Sequence, residues 1–144
     1  MNRLLIALAL AAVTWSGETP AASTGTAAAQ VRAATGAAAF RQGHHERALA
    51  HFRRAAAAGH AVAQFNLAVM LMEGQGTAPR PAEAIGWLRK SAENGFVQAQ
   101  DALAALLERG EHVPRSQSEA THWWRRARPA ARRRSRPGPS RRSR

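Results

Sequence analysis

The stretch that decides the fold is residues 61–96, AVAQFNLAVMLMEGQGTAPRPAEAIGWLRKSAENGF. Its first part, residues 61–73, carries Ala63, Leu67, Met70 and Leu71 at helical spacing and contains no proline. That pattern predicts a helix with an apolar face. Gly74 and Gly76 follow, and glycine ends helices because it takes the left-handed conformation at low cost. Residues 77–80 read as a short loop. Pro81 then stands where a second helix would start, a position whose N–H has no helical partner to lose. Ala84, Trp87, Leu88, Ser91 and Ala92 give this second helix its buried stripe, and Gly95 closes it.

The same plan returns 36 residues later. Ala63-Gln64, Leu67, Gly74, Ala84 and Trp87 recur as Ala99-Gln100, Leu103, Gly110, Ala120 and Trp123. Residues 98–108 read as the first helix of this copy, and Ala120, Trp123, Trp124 and Ala127 as the stripe of its second. A period between about 20 and 50 residues marks a unit that cannot bury its apolar face alone and must stack on its neighbours. Upstream, Gly36, Gly43, Ala48, Phe52 and Ala55 suggest a further, alanine-rich unit with a shorter loop. The expected fold class is all-α: an α-solenoid of antiparallel helix pairs, about three units long. Sparse strand formers and abundant alanine agree with it.

On these residues the stretch resembles a Sel1-like repeat. The matches are Ala63, Leu67, Gly74, Gly76, Ala84, Trp87, Lys90, Ala92, Glu93 and Gly95. Residues 60–96 form this unit and residues 97–131 a weaker copy. Residues 31–59 resemble a degenerate tetratricopeptide repeat, the family's shorter-looped relative. Ala68 and Ala104 replace the family's glycine after the leucine, Arg80 and Ser116 its loop aspartate, and Leu71 and Leu107 its first-helix aromatic. These departures bear on loop detail rather than on the helix pair.

The resemblance implies that one face of each first helix lines a concave groove. In the central unit that face is Val62, Phe65, Val69 and Met72. In the first it is Gln30, Ala33, Ala37 and Phe40, and in the third Gln98, Asp101, Ala105 and Glu108. An apolar strip flanked by polar groups accepts an amphipathic helix or an extended peptide. The alternative is burial of the same residues between adjacent units. The recurring Trp87 and Trp123 are expected to pack in the core, and Trp124 aligns with Leu88 and Phe52, which also points to core.

The two ends differ from the repeats. Arg3 precedes ten uninterrupted apolar residues, 4–13 (LLIALALAAV), and small and polar residues follow. This layout predicts a secretory signal peptide over residues 1–22, with an uncleaved anchor or apolar N-terminal helix as the alternative. A periplasmic or secreted protein is the expectation. Residues 23–30 are expected to be a small-residue linker. The chain has no cysteine, so neither a lipid-anchored cysteine nor a disulfide contributes.

At the other end, residues 125–144 hold ten arginines, three prolines and no acid, which accounts for most of the chain's net charge of +12. Self-repulsion and low hydrophobicity predict a disordered tail over residues 132–144. Arg132, Arg133, Arg134, Arg136, Arg141, Arg142 and Arg144 are candidate contacts to a polyanion, since guanidinium pairs bidentately with phosphate and carboxylate. An anionic membrane surface is the partner if the protein is exported, and nucleic acid only if it is not. A tail that merely aids solubility is the alternative.

Catalytic and metal chemistry find little support. The adjacent His44 and His45 do not present two rings to one metal, and His51, His60, His112 and His122 form no i, i+4 pair, so no metal or cofactor is expected. No phosphate loop or nucleophile elbow is present. Glu73, Glu108 and Glu111 read as ordinary helix-terminal and loop acids. The expected function is that of a non-enzymatic, exported adaptor for a protein or peptide, with polyanion binding through the tail as the alternative.

Overall fold

Residues 24–128 are described by the computed structural model, and they form six α-helices in chain order. These are α1 (Thr24–Arg41), α2 (His45–Ala57), α3 (Ala61–Glu73), α4 (Pro81–Glu93), α5 (Val97–Arg109) and α6 (Gln117–Ala127). Substantial packing occurs only between helices adjacent in the chain, first within the pairs α1–α2, α3–α4 and α5–α6, then between pairs. The result is an all-α solenoid of three antiparallel helix pairs, with no strand among the described residues. The expected signal segment and tail arginines 132–144 lie outside the described residues.

Helix ends follow the local chemistry of the sequence. Gly74 and Gly110 take φ of 71° and 70°, and their N–H groups bond the carbonyls of Met70 and Leu106. A Cβ at Gly74 would lie 2.7 Å from Pro79 Cδ. At Gly76 (φ 74°) it would meet the His45 backbone at 2.7 Å, so the α3–α4 loop rests directly on the start of α2. Both positions therefore need glycine for space as well as for conformation. The loops close alike: Arg80 N–H bonds the Leu71 carbonyl at 2.7 Å, and Ser116 N–H the Leu107 carbonyl at 2.9 Å. Pro81 occupies the first turn of α4 as expected.

One boundary differs from the expectation. Residues 24–30, expected as part of a linker, are the first turns of α1, and Ala29 is buried. Alanine is the best helix former, and Gln30 is tied to the second unit through His60, their Oε1 and Nε2 atoms 2.6 Å apart. A composition that reads as a spacer becomes helix once a neighbour offers it a surface.

Burial divides into two layers. Between the first and second pairs lie Leu49, Phe52, Leu67, Met70 and Leu71 among small alanines. Between the second and third lie Phe65, Val69, Leu88, Leu103, Leu106, Leu107 and Trp123. Trp87 and Met72 pack against both layers. The central helix α3 is consequently buried at every position from Ala63 to Leu71, including Gln64 and Asn66.

The repeated Ala-Gln dipeptide has a structural reason. Gln64 Nε2 donates to the Ala56 carbonyl at 3.1 Å, and Gln100 Nε2 to the Ala92 carbonyl at 2.9 Å. Each buried glutamine reaches back to the last turn of the preceding unit, to a carbonyl that also accepts from the closing glycine's N–H, Gly59 for Ala56 and Gly95 for Ala92. Asn94 Nδ2 donates to Gln64 Oε1 at 2.8 Å, and Ser91 Oγ to the Ala61 carbonyl at 2.7 Å. On the surface, Arg53–Glu83 and Arg89–Glu119 repeat one inter-unit ion pair at 3.5 Å each. Such exposed pairs contribute roughly 0–1 kcal/mol. The buried amides matter more: Gln64→Leu is expected to cost about 1–3 kcal/mol in urea unfolding, since one buried and one partly buried bond are lost.

His60 makes the fold sensitive to pH. At the N-cap of α3, its Nδ1 accepts from Ala63 N–H at 3.1 Å, which leaves Nε2–H to donate to Gln30. Burial holds the His60 pKa below the 6.5 of an ordinary imidazole, against an opposing backbone hydrogen bond. With the folded pKa lowered, this contribution is present above pH 6.5 and is lost as pH falls below it. The urea midpoint is expected to drop between neutral pH and about pH 5.5. His60→Asn, which keeps a side-chain acceptor at the cap, is expected to flatten that drop.

Candidate functional site

The first helices of the second and third units do not close completely on each other. Between α3 and α5 lies a cavity of about 530 Å³. Phe65, Ala68, Val69 and Met72 of α3 and Leu88 of α4 form one wall, and Ala102, Ala105 and Leu106 of α5 the other. Its polar end is formed by Glu73, Arg109, Glu111 and His112. The volume is in the range of small-ligand and side-chain pockets.

The opening has a local cause in the repeat itself. Ala102 and Ala105 stand 36 residues after Asn66 and Val69, so α5 offers methyl groups where α3 carries larger side chains. Both alanines are half-buried, whereas Asn66 and Val69 are buried. Helix spacing is set by the larger contacts on either side, notably Leu103, Leu106 and Leu107. The short side chains then leave a void that packing elsewhere does not fill.

At the polar end, Arg109 pairs with Glu111 at 3.2 Å. Glu73 accepts from Gln75 Nε2 at 2.8 Å and has no cation partner among the described residues. Here too is His112, with φ of 59° the one non-glycine residue of positive φ among those described. A side chain held in that conformation costs of order 1–3 kcal/mol, and such strain gathers at ligand sites.

The residues expected to line a groove are distributed unevenly. Phe65, Val69 and Met72 meet in the cavity wall. Phe65 and Val69 are not an open strip, however: at 4% and 5% exposure they are buried by α5, and Phe65 tilts against Phe96 with ring centroids 5.2 Å apart. Val62 is half-buried outside the lining. Phe40 packs against the first layer, edge-on to His45 at 4.9 Å, and Ala33 is buried there. Asp101 and Glu108 are half-buried on α5 outside the cavity, with Asp101 3.8 Å from Arg128.

Asp101 and Glu108 occupy the positions equivalent to Phe65 and Met72, one repeat on. No helix covers that face among the described residues, and its side chains are polar where those of α3 are apolar. Trp124 shows the same asymmetry. It aligns with the buried Leu88 and Phe52 but is only half-buried, because its far side has no neighbour among the described residues.

Ala105, expected on the groove face, does line the cavity, whereas sequence reasoning passed over Ala102 and took Glu73 and Glu111 for ordinary helix-terminal and loop acids. The signal for the alanines was present as a large-to-small change at equivalent repeat positions. The two acids carried no signal beyond their place at helix ends. Among the described residues no group of three or more His, Cys, Asp or Glu could hold a metal ion, and no helix is long and apolar enough to cross a membrane.

Fold and groove together define a short helical-repeat solenoid of the interaction-scaffold class. The Sel1 repeat family model matches residues 35–60, 61–96 and 97–128, so the first, short-looped unit is matched as a Sel1 repeat as well. The chain belongs to the Sel1 repeat family. Such repeats are typically non-catalytic protein-interaction scaffolds.

The fold is similar to the crystal structure of a Sel1 repeat protein from Oxalobacter formigenes, at 30% identity and a TM-score of 0.64. That match covers 69% of this chain and 42% of the other. It is also similar to c5321, a protective antigen present in uropathogenic Escherichia coli strains and displaying an SLR fold. There the identity is 37% and the TM-score 0.64, over 69% of this chain and 22% of that one. The chain therefore spans less than half the length of either. No curated protein matches it.

The burial of Phe65 sets the expected outcome of truncating it. Phe65→Ala is expected to lower unfolding free energy by about 3 kcal/mol or more in urea titration. Leucine at Ala105 enters open space and is expected to leave the melting temperature within a few degrees of the original.

Proposed function

We propose that this chain is an exported adaptor that seats a peptide segment of a partner protein in the groove between α3 and α5. The observation that supports it best is the cavity itself. It is an apolar recess with a polar end, built from the first helices of consecutive units, in a protein of a scaffold family. A partner's apolar side chain placed there gains the burial that Ala102 and Ala105 leave unfilled. At about 25 cal/mol per Å² of apolar surface, one large side chain supplies about 2 kcal/mol. Neighbouring contacts along α3 and α5 add to it.

Export is the expectation from Arg3 and the apolar run of residues 4–13. A periplasmic or secreted adaptor then works where a cysteine-free fold relies on packing alone.

The arginine tail favours a second reading, in which the repeats hold a polyanion-binding segment against an anionic membrane. Its density of arginine without a single acid is the observation behind it. Nucleic acid is the target only if the chain is not exported.

A photo-crosslinking residue placed at position 105 of the full chain separates the two readings. The adaptor reading expects a crosslinked partner that survives about 0.5 M salt and deletion of residues 132–144. The tail reading expects binding that falls steeply with salt and vanishes with the deletion.

A further inference from the structure

We infer that the groove selects a peptide segment in which a large apolar side chain is accompanied by a lysine or arginine. This inference rests on the groove being the partner's seat, and it adds the chemistry of what sits there. The apolar requirement comes from the walls, where Phe65, Val69, Met72, Leu88 and Leu106 surround the space left by the two alanines. The cationic requirement comes from the polar end.

Arg109 is taken up by Glu111, whereas the exposed Glu73 carboxylate meets only a neutral amide. The lining is acidic by one charge, although residues 24–128 as a whole hold thirteen basic residues against eight acidic ones. Glu108, without a cation partner among the described residues, also lies on α5. An acidic peptide would bring its charge to the acidic end of the cavity, and a neutral one would leave Glu73 partly desolvated without compensation. A lysine or arginine stem covers apolar wall while its head reaches the carboxylate, which suits this layout. As the anchor displaces water, the charge-assisted bond to Glu73 strengthens.

The chain's own tail does not meet both requirements. Residues 129–144 consist of Arg, Pro, Ala, Ser and Gly, and so supply the charge without a large apolar anchor.

The test is selection of a displayed library of random dodecapeptides on the full chain, followed by fluorescence anisotropy with the synthesised winners. The expected winners carry Lys or Arg within about four residues of a large apolar side chain, one helical turn or less. They are expected to bind Ala105→Leu and Ala102→Leu at least ~10-fold more weakly, because leucine occupies the anchor's space. Replacing the peptide's cation by glutamine is expected to cost about 5-fold against the original chain and nothing against Glu73→Gln.

Winners that need the open cavity but carry acidic residues or no charge overturn the cation rule and leave the seat standing. So does an equal response of the original chain and Glu73→Gln to the glutamine peptide. Winners that bind both leucine variants undiminished, or a library that yields none, overturn the seat itself and the proposed function with it. Binding lost on deleting residues 132–144 does the same. Glu73 is exposed, so its variant reports on the rule even if a leucine variant is unstable.

Discussion

The structure depends on one constraint: a helix pair of this composition can bury only one of its two apolar faces within itself. Helix α3 shows it most clearly. Its buried run from Ala63 to Leu71 takes in every side of the helix, so it must be covered from more than one direction. Leu67, Met70 and Leu71 are satisfied by the first unit, and Phe65 and Val69 by the third. Each unit's stability is thereby a property of its interfaces, and the nearest-neighbour packing of the six helices follows. The same logic explains why Asp101 and Glu108 replace Phe65 and Met72 on a face that no described helix covers.

Specific registration between units comes from polar groups rather than from the apolar layers. Hydrophobic contact is non-directional, and alanine-rich surfaces slide easily. The glutamines at 64 and 100 bond to single carbonyls of the preceding unit, and Gly76 admits the His45 backbone at a distance no side chain allows. His60 adds a third such link through Gln30 and makes it dependent on protonation. These contacts set one rotation and one translation of each unit on the next. The groove exists because that geometry is held while the side chains at 102 and 105 are too short to fill it.

Much of this was legible beforehand, and the particular residues show why. The 36-residue offset, the two glycine stops and Pro81 are local signals, read by helix chemistry without knowledge of any neighbour. They placed α3 to within its ends and the α4 start at its first residue. The first-helix face containing Phe65, Val69 and Met72 was also identifiable, but whether it lay open or covered was not. Residues 24–30 were misjudged for a related reason: a run of small residues is equally a spacer and a helix, and contact with the next unit decides between them.

By itself the sequence determined the repeat, the helix pairs and their order, because periodicity and capping are encoded within about fifteen residues. Only the tertiary structure decided which repeated residues are buried, that the Ala-Gln dipeptide serves as an inter-unit clamp, and that a cavity opens between α3 and α5. Burial is a relation between surfaces far apart in the chain. A void in particular is defined by side chains on two helices that fail to meet, and neither helix carries that information alone.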